Sequence, residues 1–269
     1  MIKSDKLLRI AKESALLGGL VLKENFLKVS TDKIEEKAEK DFVSYVDRLS
    51  EERIKEHILK NFPDHSVVGE ESGGSQESDY VWYVDPLDGT KNYIAGFPIF
   101  GVSVGLVYKG QPILGCVYLP YFDNLYWACK GEGAYKNGKR IQVKQKENLK
   151  HCFVAYGFPS RAKRNLSIYW EIFRDIFDKV SAMRRPGAAA VDLCLLAEGV
   201  FDGLAEFELN PWDVCAGMVI VQEAGGEVWL SKGLALRTDI VAGNKTAFSY
   251  IKDVIYLKLG EDYEPARGS

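Results

Sequence analysis

The run Asp85-Pro86-Leu87-Asp88-Gly89-Thr90 follows directly on the apolar stretch Val81-Trp82-Tyr83-Val84. An aspartate at a strand end and a second one across a proline-shaped turn can converge on one hard cation. An irregular backbone at Leu87 would leave its carbonyl oxygen as a further ligand. Oxygen donors with few carboxylates per ion suit Mg²⁺, which keeps part of its water shell and shares phosphate oxygens with a substrate. If Gly89 and Thr90 open a helix, their N–H groups face an anion. The competing reading is an Asp-rich turn in which Asp88 does no more than cap a helix.

Two further acidic segments stand out. Gly69-Glu70-Glu71-Ser72 ends a short apolar run; alone, a glutamate pair there reads as solvated surface. In Asn210-Pro211-Trp212-Asp213, Pro211 suits a first helical turn, which puts Asp213 near a helix N-terminus. Capping would by itself account for that aspartate.

These segments need elements to hold them. Leu7, Leu8, Ala11, Ala15, Leu16 and Leu20 recur at helical spacing, and a second helix runs from about Ser44 to the stop at Pro63. Ser66-Val67-Val68-Gly69 and Val81 to Val84 read as strands that end in acidic residues. From Phe100 to Arg140, Gly-punctuated β-rich runs (Val102 to Val107, Ile113 to Tyr118, Leu125 to Ala128) and the turn pair Asn137-Gly138 predict antiparallel sheet. Beyond residue 150 the pattern alternates. A strand at Cys152 to Tyr156 precedes a helix at Leu166 to Phe177, and another helix begins near Gly187. A strand at Phe201 to Glu206, a helix after Pro211 and a strand at Asp239 to Ala242 follow. The reading is α+β in an N-terminal half, 1–145, and alternating α/β in a C-terminal half, 146–269, stacked in layers.

Composition narrows the function classes. The 269 residues are 46% apolar and 27% charged, with a net charge of -3; nucleic-acid binding, which asks for a basic face, is not expected. No apolar run reaches the length of a membrane span. The opening Met1-Ile2-Lys3-Ser4-Asp5-Lys6 lacks the apolar region of a secretory signal, so a cytoplasmic location is expected. Five widely spaced cysteines and three scattered histidines show no metal-ligand spacing and read as packing or surface residues.

Together the three acidic segments resemble the signature of the inositol monophosphatase family of Mg²⁺-dependent, Li⁺-sensitive phosphatases, and the resemblance spans nearly the whole chain. It implies a layered αβαβα sandwich of the sugar-phosphatase type and a cytoplasmic homodimer. It also implies that Glu70, Asp85 and the Leu87 carbonyl bind one Mg²⁺ and that Asp85, Asp88 and Asp213 bind a second, with Glu70 beside a third, looser ion. Lys40-Asp41-Phe42-Val43-Ser44-Tyr45-Val46-Asp47 matches a further stretch of the family. By that resemblance Asp47 and Thr90 take the proton of an attacking water, with Asp41 near the metals. Without it, Asp47 reads as an ordinary first-turn helix carboxylate. The charge count adds its own argument: four carboxylates in one pocket repel one another unless cations offset them.

For the organic half of the substrate, a phosphorylated cyclitol or sugar, the resemblance points to Gly89, Thr90, Gly187, Ala188, Ala189 and Glu206. Ala188 stands where the family commonly has Ser or Thr, which removes one side-chain hydrogen bond. Related enzymes with Ala there often accept fructose 1,6-bisphosphate as well as inositol phosphates. Arg184, Arg185 and the stretch Ser160 to Arg164 could meet a second phosphate, though solvated surface is the plainer reading of each. Two rivals remain. A phosphatase of the haloacid-dehalogenase type would use a first aspartate as covalent nucleophile, but its two aspartates are separated by one residue and here the spacing is two. A non-catalytic regulator that keeps the fold would have no reason to fill every position the chemistry needs.

Overall fold

Strands with both faces buried read as continuous apolar runs rather than alternating ones, and the centre of this protein is built from such strands. The computed structural model describes residues 4–28, 34–38, 41–158 and 165–260; of 34–38 and 41–44 only the backbone is described. The stretch Ser160 to Arg164 and the side chain of Asp41 therefore lie outside the described residues.

After helix α1 (Ser4–Asn25), a two-stranded ribbon, β1 (Ile34–Ala38) and β2 (Asp41–Ser44), leads into α2 (Tyr45–Asn61). A seven-stranded sheet follows in chain order: β3 (Ser66–Gly69), β4 (Tyr80–Asp88), β5 (Gly101–Tyr108), β6 (Gln111–Leu119), β7 (Asn124–Cys129), β8 (Gly133–Lys136) and β9 (Lys139–Ile141). The pair β3/β4 is parallel and every later pair antiparallel. Short helix α3 (Thr90–Ile94) sits between β4 and β5. The second half contributes β10 (Phe153–Gly157), α4 (Leu166–Phe177), β11 (Ala182–Arg184), α5 (Ala189–Ala197), β12 (Gly203–Leu209), α6 (Pro211–Glu223), β13 (Glu227–Leu230), β14 (Thr238–Gly243) and α7 (Lys245–Leu259). Its sheet has the order β11-β10-β12-β14-β13.

The cores give the layers. Leu7, Ile10, Ala11 and Ala15 of α1 and Ile54 and Ile58 of α2 pack with Val102, Val104 and Leu106 on one face of the large sheet. Val117, Leu119 and Ala128 from the opposite face join α5 and α6 (Val191, Leu193, Val214, Ile220) and the inner face of the second sheet. Tyr169, Ile172 and Ile176 of α4 and Ile251, Val254 and Ile255 of α7 cover that sheet's outer face. The order is helices, sheet, helices, sheet, helices: the αβαβα sandwich expected from the sequence.

Helix α6 packs directly against the large sheet where two glycines make room for it. Gly105 and Gly115 are cross-strand partners. A Cβ on Gly105 would fall 2.6 Å from Cys215 Sγ, and one on Gly115 only 2.1 Å from the Ala216 carbonyl oxygen. On the far side of α6, a Cβ on Gly217 would meet Leu193 of α5 at 2.5 Å. This slot seats the N-terminal turn of α6, and with it Asp213, against the end of β4.

Most expected elements form. The turn at Asn137-Gly138 has φ of 48° and 78°, the left-handed pair that a two-residue hairpin needs. One expectation changes: β4 does not stop at the aspartates but continues through Asp88. Asp85 still pairs with Ser103 and Asp88 with Gly101, so two residues, Pro86 and Leu87, oppose the single Val102. Short helix α3 opens at Gly89 and Thr90, where the sequence allowed one, whereas the ribbon β1–β2, the short strands β11 and β13 and the whole of α7 were not foreseen.

All five cysteines are buried and free. His65 is stacked between Phe62 and Tyr80 and accepts a hydrogen bond from Trp82 Nε1 at 2.9 Å. His57 bonds Glu13 at 3.0 Å and His151 is exposed. They pack or face solvent, as the sequence suggested.

Candidate active site

Residues three apart on a regular strand point to opposite faces. The extra residue in β4 restores Asp85 and Asp88 to the same face, the common use of a β-bulge to re-aim a side chain. That face carries Ser103, whose hydroxyl donates to the Trp212 carbonyl at 3.1 Å and fixes the first turn of α6 beside Asp85. Asp213 Oδ2 accepts the Asn210 N–H at 2.7 Å and so closes that turn from within. Glu70 arrives from the neighbouring parallel strand: its N–H donates to the Val84 carbonyl at 3.1 Å, which places it next to Asp85 at the carboxyl ends of β3 and β4.

Three elements thus deliver Glu70, Asp85 and Asp213 to one point, with a carboxylate oxygen of each within 4.8 Å of the others. Asp85 is 2% exposed. Burial raises its pKa well above the ordinary carboxylate value, and the negative charges of Glu70, Asp88, Asp213 and Asp47 raise it further. The charged groups that act most strongly on it are all acidic.

Asp88 is engaged differently. Its Oδ1 accepts the N–H of Ala189 at 3.1 Å, and its Oδ2 accepts those of Ala190 at 2.9 Å and Val191 at 3.2 Å. It therefore caps α5, a helix more than a hundred residues away, rather than the α3 helix that follows it. Burial pushes its pKa up to about 7, against the opposing pull of the Val191 and Ala190 amides.

The cleft above these groups, about 290 Å³, is lined by Glu70, Asp85, Leu87, Asp88, Gly89, Thr90, Gly187, Ala189, Glu206 and Asp213 among the residues singled out from the sequence. Gly89 holds φ at 88°, where a side chain would be strained and would crowd the Ile99 carbonyl at 2.9 Å. Ala188 does not line the cleft: it is buried at the N-cap of α5. Asp47 also stands behind the wall. Thr90 Oγ1 lies 3.0 Å from the Leu87 carbonyl and 3.5 Å from Asp47 Oδ2, so its single proton goes to the carbonyl in this geometry. Arg185 lines the cleft, with its guanidinium over the Phe158 ring and bonded to the Phe158 carbonyl at 2.7 Å. Arg184 instead turns to Phe153.

The sequence reading missed Lys91, Asp192, Glu208 and Arg237, which line the same cleft. Asp192 carried a usable signal, as the one charged residue in the otherwise apolar helix Ala189–Ala197. It is hydrogen-bonded to Glu206. Burial, then the charge of Asp213, pushes Glu206 up to about 7; burial, then Glu206, raises Asp192. Two facing carboxyls in one buried wall can share a proton and present both a donor and an acceptor.

The inositol monophosphatase family profile matches residues 3–255. A protein of Aquifex aeolicus named fructose-1,6-bisphosphatase/inositol-1-monophosphatase is 64% identical over 250 residues, 93% of this chain and 95% of its own. The Nus factor SuhB of Pseudomonas aeruginosa is 37% identical over 263 residues, 93% of this chain and 95% of its own. The solved inositol monophosphatase of Anabaena (Nostoc) sp. PCC 7120 superposes with a TM-score of 0.83 at 32% identity, covering 94% of this chain and 96% of that one. Likeness of this extent, running through the sheets that bring the acidic segments together, is not confined to a motif: the chain belongs to the inositol monophosphatase family.

Proposed function

We propose that the protein is a Mg²⁺-dependent phosphomonoesterase that hydrolyses inositol 1-phosphate. The observation that supports this reading is the meeting of Glu70, Asp85 and Asp213 within 4.8 Å, in a cleft whose dominant charges at Asp85 are all acidic. A donor set of carboxylates and a carbonyl suits a hard divalent cation. Glu70, Asp85 and the Leu87 carbonyl would hold one ion, and Asp85, Asp88 and Asp213 a second, with Glu70 beside a third. Asp88 Oδ1 accepts a single N–H and keeps a lone pair for that task. When bound, the ions would supply an acidified water and offset charge on the leaving oxygen.

The chain's own residues do the rest. Thr90 Oγ1 turns its proton from the Leu87 carbonyl to Asp47 Oδ2, 3.5 Å away, and takes the proton of the attacking water as it passes its own on. Gly89 and Thr90 receive the phosphate, and Gly187, Ala189 and Glu206 the ring hydroxyls. Asp192 holds Glu206 in place from behind.

A second substrate, fructose 1,6-bisphosphate, is favoured by the name of the Aquifex relative and by Lys91, Arg185 and Arg237, which line the cleft and would offer cations to a second phosphate. A partner-binding role is suggested by the names of the SuhB relatives; cellular function preserved in an Asp85→Asn variant would favour it. Comparing kcat/KM for inositol 1-phosphate, fructose 1,6-bisphosphate and adenosine 3′,5′-bisphosphate tests the substrate assignment. Activity on the last alone would overturn it.

A further inference from the structure

Helix α2 touches the site at three points along one face. Asp47 lies beside Thr90, Ser50 Oγ donates to the Pro86 carbonyl at 3.1 Å, and Glu51 reaches the turn that carries Glu70. Glu51 is one helical turn beyond Asp47, which puts both on the same side of the helix.

The contact made by Glu51 is dense. Its Oε2 accepts the Glu71 N–H at 2.8 Å, and its Oε1 accepts the Ser72 N–H at 2.9 Å together with the Ser72 hydroxyl. Glu51 is 2% exposed. Lys55, a further turn along α2, stands 3.5 Å from Oε1 and donates to the Gly73 carbonyl at 2.9 Å, so it offsets the buried charge and grips the same turn. Gly69 and Gly73 close that turn by exchanging two backbone hydrogen bonds of 3.0 Å. Gly69 is needed for the fit: a Cβ there would lie 2.4 Å from the Glu51 carboxyl carbon.

We infer that Glu51 is a positioning residue that fixes the cation-binding carboxylate of Glu70 by clasping the two amides that follow it. The inference rests on the proposed role of Glu70 as a cation ligand. Glu70 is then held from both sides, by its own N–H on Val84 and by the clasp on Glu71 and Ser72, and its carboxylate meets Asp85 without an ordering cost at binding. Glu51 itself touches neither cation nor substrate. Partners of this kind, which orient a ligand from behind, typically carry 10–100-fold in metal affinity.

The test is Mg²⁺ titration of the full chain by calorimetry, alongside the Mg²⁺ concentration that half-activates phosphate release. Glu51→Gln keeps the shape and one acceptor oxygen but puts an NH₂ donor against a second donor. It is expected to bind Mg²⁺ about 10–100-fold more weakly while kcat at saturating Mg²⁺ stays within about threefold. Ser72→Ala, which removes only the hydroxyl, is expected to weaken binding by about threefold, and it serves if Glu51→Gln does not fold. In a Glu70→Gln background, Glu51→Gln should change affinity little further. A lower melting temperature with unchanged Mg²⁺ affinity in both variants would overturn the inference and leave a purely structural clasp. Absence of Mg²⁺ binding by the unaltered protein would instead overturn the assignment of Glu70.

Discussion

Asp88 Oδ2 accepts the N–H of Ala190 at 2.9 Å across 102 residues of chain. A carboxylate from the end of β4 thereby becomes the N-terminal cap of α5, and the segment around Gly187 and Ala189 is tied to the same group that is proposed to hold a cation. Asp88→Asn replaces one acceptor oxygen by an NH₂ group facing amide donors. The expected cost is about 1 kcal/mol or more of stability, the usual scale of a lost cap. Turnover is expected to fall far more, by ~100-fold. Urea midpoints and phosphate release check both; stability equal to wild type would mean that the three amide bonds contribute nothing.

The Thr90–Asp47 pair separates proton transfer from cation binding. Thr90→Ala removes the hydroxyl that stands 3.5 Å from Asp47 Oδ2, and turnover is expected to fall by ~10²–10⁴, the range for a lost general-base contribution. Mg²⁺ affinity should stay within about twofold. Steady-state kinetics against Mg²⁺ titration distinguishes the two, and a change confined to affinity would refute a role in water activation.

The glycine slot under α6 sets how closely that helix approaches the large sheet. A methyl on Gly115 would collide with the Ala216 carbonyl at 2.1 Å, and what it meets is backbone, with no flexible side chain to yield. Gly115→Ala is expected to destabilise the fold by about 1–3 kcal/mol, as overpacking does. It should also weaken Mg²⁺ binding, because Asp213 rides on the displaced helix. A variant as stable as wild type would show that α6 does not need this close approach.

How much of this was legible beforehand depended on how local the cause was. Strand β3, helix α4 and the Asn137-Gly138 turn are decided by neighbours in sequence, and the apolar runs and turn residues marked them. The bulge at Pro86 and Leu87 is not local, since it exists only relative to Val102 on the next strand. Nor is the partner of Asp88, because nothing near Asp88 signals a helix that starts at Ala189. Ribbon β1–β2 contains Ile34-Glu35-Glu36-Lys37-Ala38, too charged to stand out as a strand. In α7, Ala247, Ile251, Val254 and Ile255 do recur at helical spacing, but interleaved Phe248, Tyr250 and Tyr256 blur the stripe.

Asp239 offers a pH test away from the proposed cation ligands. It is fully buried, accepts the Glu208 N–H at 2.9 Å, and is pushed up to about 7 by burial. The folded protein therefore holds a proton that the unfolded chain has released above about pH 4. Its contribution to stability is complete below that pH and is lost as pH rises toward 7. In EDTA, the melting temperature should fall between pH 5 and pH 8, and Asp239→Asn should flatten that fall. An equally steep profile in the variant would assign the dependence to other groups.

The most direct measurement is phosphate release from inositol 1-phosphate by protein stripped with EDTA, before and after Mg²⁺ is restored. The account predicts no turnover in the stripped protein, recovery on addition of Mg²⁺, and loss of that recovery in Asp85→Asn. Turnover undiminished in EDTA, or full recovery in Asp85→Asn, would contradict a reaction that depends on cations held at Glu70, Asp85 and Asp213.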